Sequence, residues 1–238
     1  RERLPSQPPV RSEPVIGVLF SAPLACVEPG SGQVLPMEQL DLENERKLMC
    51  DALGEAKRAV RLRFDFATTD RLRTLVTLGC CVGLHVSGHG DPHSLAMEDG
   101  RGGAHLVRVS NLKRLLQAGE GPKSARGVAS LRFVFVSACF SEAAAQAFVA
   151  ADVPHVVAVR LTMRVSDRAS AVFTHAFYLA LAVGNTIQEA YDIGVQAVAS
   201  APGWSGGTAE ADKFLLLRSF TASPFHHTDL DRTTLRNF

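Results

Sequence analysis

Two short stretches place reactive side chains directly after apolar runs. One reads Leu84-His85-Val86-Ser87-Gly88-His89-Gly90-Asp91 and the other Phe135-Val136-Ser137-Ala138-Cys139-Phe140-Ser141-Glu142. They set His89 and Cys139 50 residues apart, each one step past a β-like segment. A thiol with a pKa of about 8.5 is mostly protonated at neutral pH, so a neighbouring imidazole activates it or protonates a leaving amine. The glycines around His89 permit a tight turn and close approach of a substrate backbone. The Gly90 and Cys139 amides can together hold an oxyanion. A helix expected just after Cys139 would favour a thiolate through its N-terminal dipole. A cysteine ending an apolar strand also serves as a small buried hydrophobe, and a histidine beside glycine as a turn residue. The pairing of the two strand ends is what points to nucleophilic catalysis.

A metal site is the competing reading. His85, His89 and His93 are spaced four apart with Cys80 and Cys81 upstream. Four-residue spacing makes one face only on a helix, and this segment is β-rich and broken by Gly88, Gly90 and Pro92. No metal or other cofactor is expected. His85 reads as a strand histidine. Cys80 and Cys81 point to opposite faces of a strand and read as packing. Cys26 and Cys50 carry no signal.

The elements that must position the pair follow from periodicity. Val15–Phe20 suits a buried strand. Asp41 caps a helix with Leu42, Leu48, Met49, Ala52 and Leu53 on one side, ended by Gly54. Val60, Leu62, Phe64 and Phe66 alternate with polar residues as a strand with one wet face. Asp70 caps a helix stopped at Gly79, and Cys80–Ser87 is the next strand. Residues 91–108 suggest a rim hairpin turning at Asp99-Gly100. Ser110 precedes a helix using Leu112, Leu115 and Leu116, followed by a polar loop over 119–130.

Leu131–Ala138 is nearly continuous and β-rich, as a central parallel strand covered on both faces would be. A helix is expected over Ser141–Ala151, a strand over Val156–Leu161 and a long helix from Ser166. Thr186 and Glu189 form a capping box, and Phe214–Leu217 is a last strand. The Gly clusters near 100–103 and 203–207 read as turns. Strands and helices alternate at βαβ spacing, so the expectation is an α/β fold with a mostly parallel sheet between helices. Sites in such sheets lie beyond the carboxyl ends of the strands, where His89 and Cys139 fall.

Composition agrees. The 238 residues carry 25 Lys and Arg against 24 Asp and Glu, a net charge of +1, which argues against nucleic acid as the main partner. A 46% hydrophobic content with 21% charge is that of a globular domain. Five cysteines without a small-domain spacing fit a reduced, cytoplasmic protein better than a disulfide scaffold. The uncharged stretch from Ala169 to Gln188 contains polar residues at helical spacing and reads as a buried helix, not a membrane span. Residues 1–14 read as a Pro-rich linker, 15–223 as the folded domain and 224–238 as a polar tail. The start at Arg1 suggests a piece of a longer protein.

Over residues 15–220 the chain resembles the caspase-like (clan CD) cysteine peptidases, and most of all the CHAT domain. The stretches that carry the resemblance are DLENERKL, LHVSGHGD, MEDG to VSNLKRLL, FVFVSACFSE, AFVAADVPHVVAV and VSDRASAVFTHAFYLALAVGNTIQEA. The resemblance implies a three-layer αβα sandwich, His89 as catalytic acid or base, Cys139 as nucleophile, and the Gly90 and Cys139 amides as oxyanion hole. It implies a protein or peptide substrate and regulatory domains, such as TPR repeats, in the same or a partner chain.

Three departures stand against that pattern. Glu142 occupies a position where the family often has Gly, and a carboxylate near the thiol would raise its pKa. That feature favours the alternative of a catalytically silent scaffold. Ser137 stands where metacaspases carry an Asp lining a pocket for a basic residue. Val165–Arg168 resembles a separase element, making Asp167 a candidate floor of the substrate pocket; its other reading is an acidic residue in a first helical turn. About 16 residues separate Cys139 from the next strand, too few for the loop that executioner caspases cleave. A single uncut chain controlled by neighbouring domains or a partner is therefore expected.

Overall fold

A computed structural model describes residues 13–28, 30–58, 60–118 and 130–219. Most of the linker over 1–14, the loop over 119–130 apart from Ser130, and the tail over 224–238 lie outside the described residues.

The apolar run Val15–Phe20 forms β1, the strand next to one edge of a six-stranded sheet. The chain then makes a small hairpin of β2 (Ala25–Val27) and β3 (Val34–Pro36) and enters α1 (Leu42–Glu55). β4 (Arg61–Phe66), α2 (Thr69–Leu78) and β5 (Gly83–Ser87) follow. A hairpin of β6 (Ser94–Glu98) and β7 (Ala104–Arg108) leads into α3 (Val109–Gln117). Then come β8 (Phe133–Ser137), α4 (Glu142–Val149), β9 (His155–Val159), α5 (Asp167–Val183), α6 (Ile187–Ala199), α7 (Gly207–Ala211) and β10 (Phe214–Arg218).

The strand order is β10-β9-β8-β5-β1-β4. All neighbours are parallel except β10, which pairs antiparallel with β9. Every residue of β5, β8 and β9 is buried. β8 and β9 are nearly continuous apolar runs, as strands covered on both faces are, while β5 alternates Leu84 and Val86 with His85 and Ser87, whose polar atoms are hydrogen-bonded. Side chains alternate between two cores. One face packs Leu84, Val86, Val134 and Val136 against Leu72, Leu112, Leu116 and Phe148 from α2, α3 and α4. The other packs Ile16, Val18, Phe133 and Phe135 against Met49, Phe173, Phe177 and Ala211 from α1, α5 and α7.

Several local details differ from the sequence expectation. Thr68, not Asp70, caps α2, its hydroxyl accepting from the Arg71 amide. α3 begins at Val109, so Ser110 lies inside it. α1 continues past Gly54 to Glu55, and β5 starts at Gly83, leaving Cys80 and Cys81 in the connection. Phe66 ends the edge strand β4 69% exposed. The β2–β3 hairpin and α7 are additions that their short, weakly periodic sequences do not announce. The Asp41 and Ser166 caps and the Thr186–Glu189 capping box are present.

Candidate active site

β5 and β8 are adjacent and parallel, with Ser87 opposite Ser137 as their last register partners. The chain leaves both strands at one rim, and the Gly88 amide still donates to the Ser137 carbonyl at 3.2 Å. His89 and Cys139 therefore follow at matching positions, each half-buried and each lining the same cavity of about 390 Å³. His89 Nε2 lies 2.8 Å from the Glu38 carbonyl oxygen. A carbonyl only accepts, so Nε2 carries the hydrogen and Nδ1 keeps its lone pair for other work. Cys139 Sγ donates a long contact to the Val165 carbonyl at 3.9 Å.

The backbone around the pair is close-packed. A β-carbon on Gly88 would lie 2.8 Å from Ser21 Cβ, and one on Gly90 would overlap the Cys139 carbonyl oxygen. Gly90 bridges to Leu95, with Asp91 donating to Ser94 and Ala96 donating to His89 on either side. Among the described residues neither the Gly90 nor the Cys139 amide donates a hydrogen bond. Phe140 adopts a φ of 55°, a left-handed conformation that costs a residue with a side chain about 1–3 kcal/mol. It is held by its amide on the Met163 carbonyl at 3.2 Å and by the Arg164 guanidinium over its ring. Ser141, buried, donates to the Val136 carbonyl and accepts from the Val159 amide, stitching the start of α4 to β8 and β9.

Asp167 is the first residue of α5, after the Ser166 cap. Its exposed carboxylate forms no hydrogen bond or ion pair among the described residues. It lines both the 390 Å³ cavity and a neighbouring cleft of about 590 Å³, which also share Leu40, His89, Cys139 and Val165. Arg168 borders the first cavity, but its guanidinium is turned away, donating to the Pro202 carbonyl at 2.8 Å and stacking over Trp204.

The same cavity is lined by a polar cluster that the sequence reading misses, built from Glu45, Ser87, Ser137 and Ser170. Glu45 accepts from Ser87 Oγ at 2.5 Å, from Ser137 Oγ at 3.1 Å and from His85 Nε2 at 3.1 Å. The other ring nitrogen of His85 lies 3.0 Å from the Tyr178 hydroxyl, and Ser137 Oγ lies 3.3 Å from Ser170 Oγ. Burial alone would raise the Glu45 carboxyl, but His85 and the two hydroxyls outweigh it and hold the pKa below the usual value. Tyr178 is pushed well above its ordinary value, first by burial and then by the nearby Glu45 charge, so its hydroxyl keeps its proton. The signal for this cluster is a carboxylate in an apolar stripe: Glu45, Met49 and Ala52 share one face of α1.

The three histidines considered as metal ligands diverge. His85 is fully buried under α5, while His89 faces Glu38. Among the described residues no group of three or more His, Cys, Asp or Glu is gathered to hold a metal ion. Glu142 borders neither cavity and instead accepts from the Leu161 amide at 2.9 Å. The reading of Cys80 and Cys81 as packing needs correction, because only Cys81 is buried; Cys80 is exposed, as is Cys50. Burial and the neighbouring Cys80 push the Cys81 thiol up to about 12. No described helix is long and apolar enough to cross a membrane.

No protein-family model matches the chain, and no curated protein matches it in sequence. Among solved structures it is similar to the Arg-specific cysteine proteinase gingipain R, with a TM-score of 0.54 at 12% identity over 86% of this chain. The chain spans 46% of the length of that proteinase. A pyridoxal kinase from Staphylococcus aureus overlaps at a TM-score of 0.36 and 10% identity, and nothing rests on it. The fold is thus the caspase-like αβα sandwich with a mostly parallel central sheet.

Proposed function

We propose that this chain is a cysteine endopeptidase domain of the CHAT kind, with Cys139 as nucleophile and His89 as acid and base. The observation that carries the reading is the placement of His89 and Cys139 at the ends of adjacent parallel strands on one cavity. The Cys139 proton passes to His89 Nδ1, and Sγ attacks the scissile carbonyl carbon. The oxygen that gains charge is met by the Gly90 and Cys139 amides, whose hydrogens are uncommitted. Collapse breaks the C–N bond, and His89 gives its proton to the departing amine. His89 then takes a proton from water, whose oxygen attacks the thioester and frees the acid product and the thiol.

The Glu38 carbonyl holds the imidazole in the tautomer this sequence needs. A free carboxylate at Asp167 on the cavity that holds Cys139 suits a basic side chain before the cut bond, and gingipain R, a solved structure of similar fold, is Arg-specific. The domain works as a single uncut chain under the control of neighbouring domains, TPR repeats among them, or of a partner. It acts on protein or peptide, not nucleic acid, in a reducing, cytoplasmic setting that suits five unpaired thiols.

The test is iodoacetamide labelling, with the Cys139 peptide followed by mass spectrometry because Cys50 and Cys80 are also exposed. His89→Ala slows Cys139 alkylation about tenfold or more if the imidazole activates the thiol. Equal rates in both proteins would leave the caspase-like scaffold as the correct reading.

A further inference from the structure

Ser87 stands two residues before His89, and Ser137 stands two residues before Cys139. The two serines are register partners, and both hydroxyls donate to opposite oxygens of one carboxylate, Glu45. His85 donates to the oxygen that Ser137 also uses, so α1, β5 and β8 meet at this one group. Glu45 thus hydrogen-bonds side chains at both strand ends. We infer that Glu45 is a positioning residue for the peptidase pair: it ties the strand end that carries His89 to the strand end that carries Cys139. This rests on the peptidase reading above.

The chemistry favours a clamp over a subsite. A carboxylate at a substrate pocket must keep lone pairs free for an incoming cation, as Asp167 does. Glu45 has three donors already, and its partners are rigid because Ser87 and Ser137 sit in fully buried strands. Beyond Ser87 and Ser137 both chains turn out of the sheet, held by the Gly88–Ser137 and Ala96–His89 backbone hydrogen bonds and by the packing of Gly90 on Cys139, and Glu45 adds a charged tie at the point where they leave it. A displacement of about 1 Å between reacting groups costs on the order of a hundredfold in rate, so a tie at this point governs whether imidazole and thiol work together. The buried His85 and Tyr178 back the carboxylate from beneath and keep it from swinging into the core.

The experiment measures how strongly Cys139 alkylation depends on His89, with and without Glu45. Wild type, His89→Ala, Glu45→Gln and the double variant are alkylated with iodoacetamide at neutral pH, with folding checked by circular dichroism. The expected result is that Glu45→Gln falls to the His89→Ala rate and that the double variant is no slower, a coupling that general loss of packing does not produce. A Glu45→Gln protein that stays as sensitive to His89→Ala as the wild type overturns the clamp and leaves the peptidase reading standing. Wild type and His89→Ala reacting equally overturns both. Loss of preference for basic peptides in Glu45→Gln with His89 dependence intact would make Glu45 a substrate carboxylate, also against the clamp.

Should Glu45→Gln fail to fold, Ser87→Ala and Ser137→Ala cut one arm each. The clamp then predicts a partial loss of about threefold to tenfold in the His89-dependent rate, restored in Ser137→Thr, which keeps the hydroxyl. Wild-type rates in both alanine variants overturn it.

Discussion

Gly90 packs its α-carbon so tightly against Cys139 that a β-carbon there would overlap the Cys139 carbonyl oxygen and touch Ala138 Cβ at 3.3 Å. The loop after His89 and the turn at the thiol are therefore one packed unit, and the glycine is the condition of their contact. Gly90→Ala must push them apart. Overpacking of this kind costs about 1–3 kcal/mol, which thermal melting will register as a lower Tm. His89-dependent alkylation of Cys139 should disappear in the same variant. An unchanged melting curve would show that the contact is looser than described.

Glu45 makes the fold sensitive to acid. A carboxyl whose folded pKa lies below its unfolded value contributes stability that is complete above the unfolded value, near 4.5, and is lost as pH falls through the folded value. Glu45 is in this class because His85 and the hydroxyls of Ser87 and Ser137 offset its burial. Denaturant titrations of wild type and Glu45→Gln should converge as pH drops from 6 through the region below about 4.5. Asp91 and Glu210 are also held low and contribute their own acid slopes, so the difference between the two proteins is the quantity to follow. A constant difference across that window would contradict the assignment.

The legible part of this molecule is the part written in periodicity. LRFVFVSA, a run without polar alternation, becomes the buried central strand β8, and the helix N-caps at Asp41 and Ser166 appear where their side chains place them. His89 and Cys139 were visible because reactive residues after apolar runs mark strand ends in parallel sheets. Glu45 was not, since its meaning comes from Ser87, Ser137 and His85, 40 or more residues away in the chain. The Glu38 carbonyl was invisible for another reason: a backbone acceptor carries no sequence signal. Phe140 is a third case, because a positive φ in a phenylalanine is set by the packing of the turn and not by its own preference.

Asp167 gives a specificity prediction that leaves Cys139 chemistry alone. Its carboxylate is free, exposed and shared by both cavities, while Arg168 beside it is engaged elsewhere. On a peptide library, Asp167→Asn should lower kcat/KM for substrates with Arg or Lys before the cut bond by about tenfold, with little change for neutral residues. Alkylation of Cys139 should proceed at the wild-type rate. A uniform loss across all peptides would instead make Asp167 a residue of the first helical turn that matters only through α5.

Tyr178 offers the sharpest stability test, because its hydroxyl is fully buried and faces His85 Nδ1 at 3.0 Å. The ring itself is packed among Phe133, Phe177 and His85, and Tyr178→Phe keeps that shape while deleting one oxygen. His85 Nδ1 is then left buried without a partner, which costs about 1–3 kcal/mol. Because the lost group acts through His85 on Glu45, Tyr178→Phe and Glu45→Gln should be less than additive in equilibrium denaturation. Additive losses would show that Tyr178 stabilises the core independently of the Glu45 carboxylate.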